Sequence, residues 1–225
     1  MGMLALSWVI QRGKRRTGMG VRSTIGIGLI CLLLGGCAVA GLGGSGAAPA
    51  TYNLATPKIS GMRAAKLARL VTVSQPTAIR ALDTERIMVS GPGGRISYYA
   101  GSAWSDRLPR LVQSRFIEAM QDSGAFSAVL TSNDRVEAEY TVATEIRSFQ
   151  LDVGGGNSAA SVEIFSKIVD ERKGRVIATH EFSARTPAPK DDPAAAVAAL
   201  QESFNKATLE LVRWVAVPRG GTGGA

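Results

Sequence analysis

Cysteine and histidine are scarce in this 225-residue chain, which has two of the first and one of the second. Both cysteines, Cys31 and Cys37, lie near the start, so the rest of the chain has no thiol with which to form a disulfide. That part must therefore be held together by ordinary apolar burial. One histidine without further cysteines also provides no metal-binding cluster, and we expect neither a metal nor another cofactor.

The net charge of the chain from Cys37 onward is smaller than the whole-chain value suggests. The formal net charge is +8, but five basic residues and no acidic ones precede Cys37. Subtracting those five from the 26 Lys and Arg residues leaves 21 against 18 acidic residues, a net charge of +3. The high sequence pI of 9.9 therefore belongs mainly to the N-terminal segment. A nucleic-acid-binding function, which requires a basic folded surface, is excluded on this ground.

Long apolar runs are absent too. The longest, residues 25–34, is about half of the roughly 20 residues that a membrane-spanning helix needs. A basic segment, a short apolar run and then small residues are typical of an export signal. The run ends in Leu34, Gly35, Gly36 and Cys37, which resembles the lipobox of bacterial lipoproteins. An uncleaved signal anchor and a chance cysteine are the alternatives.

The lipobox resemblance implies a signal peptide over residues 1–36, cleavage between Gly36 and Cys37, and acylation of the Cys37 sulfur. Translation could begin at Met1, Met3 or Met19. Ala38 follows the cysteine where an aspartate would suggest retention in the inner membrane, so we expect the outer membrane. The expected location is its inner leaflet, facing the periplasm.

Composition divides the rest of the chain into three parts. Residues 37–51 are rich in Gly and Ala and predict a flexible tether, whose end-to-end distance would be about 20 Å. Residues 52–217 contain the periodic patterns of one folded domain. Residues 218–225, after a helix-stopping proline, predict a disordered tail.

Alternating apolar residues predict a sheet with several hairpins. Residues 91–94 are Gly-Pro-Gly-Gly, an unambiguous turn between strands 86–90 and 95–99. A long strand over 136–153 changes phase partway, and a bulge near Arg147 and Ser148 would bring both halves onto one face.

Two segments have the three-four spacing of amphipathic helices. The first is capped by Asp106 and ended by Gly124, and the second is capped by Asp191 or Asp192 and stopped by Pro218. Together the patterns predict an α+β domain: a mostly antiparallel sheet with two amphipathic helices packed on one face.

Catalytic chemistry has little support in the sequence. His180 is the single histidine and shares its strand phase with apolar residues, which predicts a half-buried structural side chain. A hydrolase that uses His180 is a weak alternative, because no nucleophile or carboxylate motif accompanies it. We therefore predict that the protein is not an enzyme.

Three aromatic residues border a run of small residues ahead of the first helix. They are Tyr98, Tyr99 and Trp104, and the intervening residues predict a loop. One interpretation is a structural corner with Trp104 against the sheet. The other is a partner-binding surface, because Tyr and Trp are common anchors of interfaces.

Several short segments also carry a family resemblance, namely residues 52–54, 82–87, 98–99, 104–109 and 124–126. Together they resemble the ABC-type transport auxiliary lipoprotein family, whose members include lipoproteins of MCE-type lipid transport systems. The resemblance implies a non-enzymatic auxiliary component of phospholipid transport. Its implied partners are an MCE-domain protein, the ABC permease and ATPase assembly, and the membrane through the lipid anchor. A homo-oligomer is left open, and a domain that carries lipid in its own pocket is the alternative function.

Overall fold

The computed structural model describes residues 49–59, 67–154 and 157–217. The predictions for the signal peptide, its cleavage site, Cys37, nearly all of the tether and the C-terminal tail lie outside these residues. Across the described ranges, no helix combines the length and the apolar character needed to cross a membrane.

Nine strands and two α-helices make up the described part, which confirms the α+β class. The strands are β1 Ala50–Tyr52, β2 Leu67–Val73, β3 Thr77–Ala78, β4 Arg86–Gly91, β5 Arg95–Trp104, β6 Phe126–Thr131, β7 Tyr140–Asp152, β8 Ala159–Asp170 and β9 Arg175–Pro187. The helices are α1 Leu108–Asp122 and α2 Pro193–Ala216.

Strand β7 is the centre of the sheet. One of its edges pairs along its whole length with β8 in antiparallel orientation, and β8 pairs with β9 in the same way. The other edge pairs in succession with β2, β3 and β4, all parallel to it. β6 lies parallel to β2, while β5 is antiparallel to β4 and carries β1 at its edge. The sheet is therefore mixed, with antiparallel pairing in its longest ladders.

A bulge in β7 lies where the sequence predicts one. Ile146 pairs with Ile164 and Ser148 with Glu163, so Arg147 is an extra residue on β7. The extra residue reverses the alternation and puts Phe149 on the same buried face as Ile146. The strand begins at Tyr140, later than the predicted start at residue 136, and Val136 lies before it with 54% of its surface exposed.

α1 buries its predicted apolar stripe, and α2 buries most of its own, with Val197 and Trp214 half-buried. In α2 the Asp192 carboxylate accepts a hydrogen bond from the Ala195 amide at 2.8 Å, as expected for its N-cap. In α1 the N-cap is Arg107 rather than Asp106. Asp106 lies one residue too early; its carboxylate accepts a hydrogen bond from the Arg107 amide at 2.7 Å and forms an ion pair with Arg110 at 3.8 Å.

Four aromatic rings connect the sheet and both helices in the core. Phe116 of α1 stacks on Phe204 of α2 with ring centroids 5.6 Å apart. Phe149 of β7 lies 6.0 Å from Phe204 and 5.8 Å from Trp104 at the end of β5. All four are buried, so the two helices share a single core with the sheet.

Candidate functional site

The β4–β5 hairpin positions all three aromatic residues that the sequence predicts as a partner-binding group. β5 continues through Trp104, so the residues expected to form a loop are strand residues. Tyr98 pairs with Met88, and Ala103 pairs with Arg86. Between these two pairs β5 advances by five residues while β4 advances by two. This wide bulge needs Gly101, whose φ of +63° favours glycine.

Trp104 is buried, with only 2% of its surface exposed. Its ring meets Phe149 edge to face, and its backbone amide donates to the Glu85 carbonyl at 2.7 Å. The structural interpretation of this residue therefore holds. Its inclusion among the partner-binding residues is wrong, because a partner cannot reach the indole without opening the core.

Tyr98 is half-buried and turned toward the loop that precedes β4. Its hydroxyl donates to the Ala81 carbonyl at 3.1 Å, and the guanidinium of Arg86 lies 3.8 Å above its ring. Such a cation–π contact contributes roughly 0.5–1 kcal/mol at an exposed site. The ring is thus held in a defined position while part of it stays accessible.

Tyr99 connects the hairpin to the start of α2. Its hydroxyl donates to Oδ1 of Asp191 at 2.6 Å. Burial, together with the hydrogen bond to the Asp191 carboxylate, raises the pKa of this phenol well above its usual range. Asp191, which the sequence offers as an alternative helix cap, thus holds Tyr99 while Asp192 caps the helix.

We expect Tyr99→Phe to lower the free energy of unfolding at neutral pH by about 1 kcal/mol, through loss of this hydrogen bond. Because the folded-state pKa is raised, the Tyr99 contribution is complete below the unfolded pKa of about 10 and falls as the pH rises above it. Urea unfolding of both chains from pH 7 to 11 should therefore show the difference shrinking at high pH. A constant difference would contradict this account.

Ile96 is an exposed apolar residue of this hairpin that sequence reasoning missed. It lies two residues before Tyr98 on β5, so the two side chains share a face, and 47% of its surface is exposed. The sequence feature that could have identified this residue is the alternation of Ile96 and Tyr98 immediately after the glycine turn. We call Ile96, Tyr98 and the Arg86 guanidinium the hairpin surface. Tyr99, the next residue, points to the opposite face.

His180 lies on β9 and is more exposed than predicted, because β9 is at the edge of the sheet. Its ring centroid lies 4.7 Å from Phe182 and 5.9 Å from Trp214. These contacts fit a structural role at the margin of the core. In the described ranges, no group of three His, Cys, Asp or Glu side chains is arranged to hold a metal ion.

An apolar cleft lies between the sheet and the end of α2. It is lined by Arg69, Val71, Phe126, Tyr140, Ile168, Ile177 and Val215. Its volume of about 10 Å³ is room for one water molecule. Two larger surface grooves, of about 550 and 690 Å³, are lined mostly by polar and charged side chains.

The sequence profile of the family described as the ABC-type transport auxiliary lipoprotein component matches residues 52–212. The chain belongs to this family. The match includes the hairpin, the whole sheet from β2 to β9, and nearly all of α2. Membership in a lipoprotein family indicates a location in the cell envelope.

One similar curated protein is the uncharacterized protein bll6063 of Bradyrhizobium diazoefficiens. It is 33% identical to the auxiliary lipoprotein over 172 residues, or 76% of the present chain. Those residues are 46% of the relative, so the chain spans about half the length of the curated relative that it matches.

Solved structures share the fold. The crystal structure of protein XCC0632 from Xanthomonas campestris superposes with a TM-score of 0.69 and 26% sequence identity. The comparison covers 74% of the auxiliary lipoprotein and 94% of the other chain. A crystal structure of an uncharacterized protein has a TM-score of 0.59 at 14% identity, over 74% and 98% of the two chains, and is similar in fold alone.

Proposed function

We propose that this auxiliary lipoprotein is a non-enzymatic component of an ABC-type system that transports phospholipid or a related lipid. The observation that carries the proposal is the extent of the family match, residues 52–212, which takes up almost all of the described domain. The ATPase and the permease would then be separate chains, and this chain would supply contacts between them and the envelope.

The proposed anchor is a set of acyl chains, palmitate among them, on Cys37. Each buried CH₂ group contributes about 0.8 kcal/mol to membrane binding, and more than one chain makes attachment durable. The proposed location is the inner leaflet of the outer membrane, with the folded domain in the periplasm. There the domain would meet components that extend from the inner membrane.

The proposed partner is an MCE-domain protein, which docks on the hairpin surface. Three features support this surface. Ile96 offers an exposed aliphatic group, the Tyr98 ring beside it is held by two contacts, and Arg86 supplies a cation at its edge. Tyr and Arg are enriched among residues that dominate interface energies.

The alternative function, carriage of lipid in a pocket of the domain itself, has weaker support. The apolar cleft between sheet and α2 has a volume of about 10 Å³, whereas sites for drug-sized ligands have volumes of about 300–1,000 Å³. A phospholipid tail would require the core to open. Transfer of lipid by the partner, with this chain as its docking component, requires no such opening.

The test is affinity capture of the full-length lipoprotein from detergent-solubilised membranes, with identification of the co-purified chains by mass spectrometry. We expect the MCE-domain, permease and ATPase chains to be recovered with the parent protein. Ile96→Asp should weaken binding of the MCE-domain protein about tenfold, a change of about 1.4 kcal/mol, because a carboxylate replaces an apolar contact. Titration of the purified MCE-domain protein measures this change.

Val136→Asp is the matched control, because Val136 is a similarly exposed aliphatic residue outside the hairpin. It should bind like the parent chain. If the parent recovers none of the transport chains, the proposed function is wrong. If it recovers them and Ile96→Asp binds equally well, only the hairpin surface is wrong.

A further inference from the structure

Strand β9 presents the longest free edge of the described sheet. It has 13 residues and pairs only with β8 among the described strands. α2 packs on one face of β9, where Phe182 is buried and its ring centroid lies 5.6 Å from that of Trp214. Most other side chains of β9 are exposed or half-buried, and no described strand pairs with its outer backbone edge. Free backbone N–H and C=O groups along such an edge can pair with a strand of another chain.

Two features that normally protect an edge strand, a bulge and a proline, lie at the two ends of β9 rather than at its centre. A bulge places Ile177 as an extra residue near the start, between the pairs Val169–Val176 and Ile168–Ala178. The proline Pro187 is the last residue. The segment between them, residues 178–186, has regular register with β8 and contains no proline.

Two opposite charges project from one face of this regular segment. Glu181 and Arg185 are paired in register with outer-face residues of β8, and their side chains are 47% and 59% exposed. Each has an ion-pair partner within the chain, Arg147 for Glu181 and Asp152 for Arg185. Ser183 lies midway between them on the same face.

We propose that β9 pairs with β9 of a second copy of this chain, antiparallel, about a twofold axis at Ser183. In this register Glu181 of each copy lies directly opposite Arg185 of the other, so two complementary pairs flank the axis. Cross-strand pairs of opposite charge stabilise a sheet, whereas like charges directly opposite destabilise it. The interface is isologous, as a twofold dimer requires.

Three other twofold registers are less favourable. An axis at Glu181 puts two carboxylates opposite each other, and an axis at His180 puts Arg175 opposite Arg185. An axis at Ala178 also pairs opposite charges, Arg175 with Glu181. That register overlaps only seven residues and runs through the Ile177 bulge, whereas the Ser183 register overlaps nine residues outside it.

The proposed dimer leaves the N-terminal attachment free. The described chain enters at β1, which lies at the opposite end of the strand order from β9, beyond β5, β4, β7 and β8. Five strand spacings of about 4.8 Å separate the two edges. Both copies can therefore pair through β9 while each stays anchored, and the hairpin surface lies outside the interface.

Cysteine crosslinking tests the register in the full-length protein. Side chains directly opposite in an antiparallel pair have Cβ atoms about 4.5–5.5 Å apart, and disulfides require about 3.5–4.5 Å, a small adjustment. Ser183→Cys should therefore form a covalent dimer under mild oxidation in detergent. In Thr179→Cys the two thiols would be eight residues apart across the interface, about 26 Å, and should not react.

The parent chain, oxidised in parallel, measures any crosslinking through the native cysteines. Equal crosslinking of Ser183→Cys and Thr179→Cys would overturn the proposal, as would a capture experiment in which only another protein occupies this edge and no homodimer forms.

Sedimentation measures the affinity without a crosslink. Glu181→Arg places like charges opposite each other at two symmetric positions and should weaken dimerisation about tenfold. The double variant Glu181→Arg, Arg185→Glu restores both pairs and should recover most of that loss. If the double variant stays as weak as the single one, the register at Ser183 is wrong. Circular dichroism on each variant checks that the monomer is folded.

Discussion

Cys37→Ala is expected to release this lipoprotein from the membrane. Its attachment is proposed to depend on acyl chains at one sulfur atom, and the described domain contains no membrane-spanning helix that would substitute for them. One acyl chain gives only marginal binding, with an association constant of about 10⁴ M⁻¹, while several chains hold durably. Fractionation of cells should move the protein from the membrane pellet to the soluble fraction, and mass spectrometry should show the loss of the acyl mass.

Cys31→Ala is the matched control for this experiment, since Cys31 is the other cysteine and precedes the proposed cleavage site. It should leave attachment and the acyl mass unchanged. The lipoprotein assignment of Cys37 fails if Cys37→Ala stays in the membrane pellet, or if Cys31→Ala is released as readily.

Phe149→Ala is expected to lower the free energy of unfolding by about 3–5 kcal/mol. Phe149 has 1% of its surface exposed and contacts both Trp104 and Phe204, so its removal leaves a cavity between the sheet and α2. The lost transfer free energy and the cavity both contribute to the cost. Chemical denaturation followed by circular dichroism measures the change, provided that the slope with denaturant stays constant.

Phe165→Ala is the control for that prediction. Phe165 lies on the outer face of the same sheet, where the Arg147 guanidinium is 4.3 Å from its ring centroid. Because it is only half-buried, its loss should cost about 1 kcal/mol, chiefly the cation–π contact. Equal losses for the two phenylalanines would mean that the outer face is covered in the folded protein and that the assignment of the core face is incomplete.

The bulge at Arg147 explains why these two phenylalanines have different surroundings. Without the extra residue, strict alternation would place Phe149 opposite to Ile146, on the outer face. The change of phase in the sequence was sufficient to locate the bulge within two residues, because burial of both halves requires it. The side chain of Arg147, the extra residue, lies on the outer face, where it contacts Phe165 and pairs with Glu181.

The hairpin shows which features local sequence patterns do not predict. Small residues between Tyr99 and Trp104 resemble a loop, but the same residues permit a bulged strand when a partner strand lies beside them. Whether Trp104 is exposed depends on Phe149, a residue 45 positions later, and no local pattern contains that contact. Sequence reasoning therefore grouped three aromatic residues as one surface, whereas the fold buries one and directs the other two to opposite faces.

By itself, the sequence determined the features that depend on neighbouring residues: the helix stripes, a cap of the second helix at Asp191 or Asp192, the glycine turn of the hairpin, the bulge in β7, and the resemblance that placed the chain in its family. Only the tertiary structure decided which strands pair, because pairing depends on contacts between distant segments. It put β2, β3 and β4 parallel along one edge of β7 and left β9 with a free edge. Strand periodicity specifies which face of a strand is buried, but its backbone edges are alike in every sequence, so only the fold shows which edge is left open.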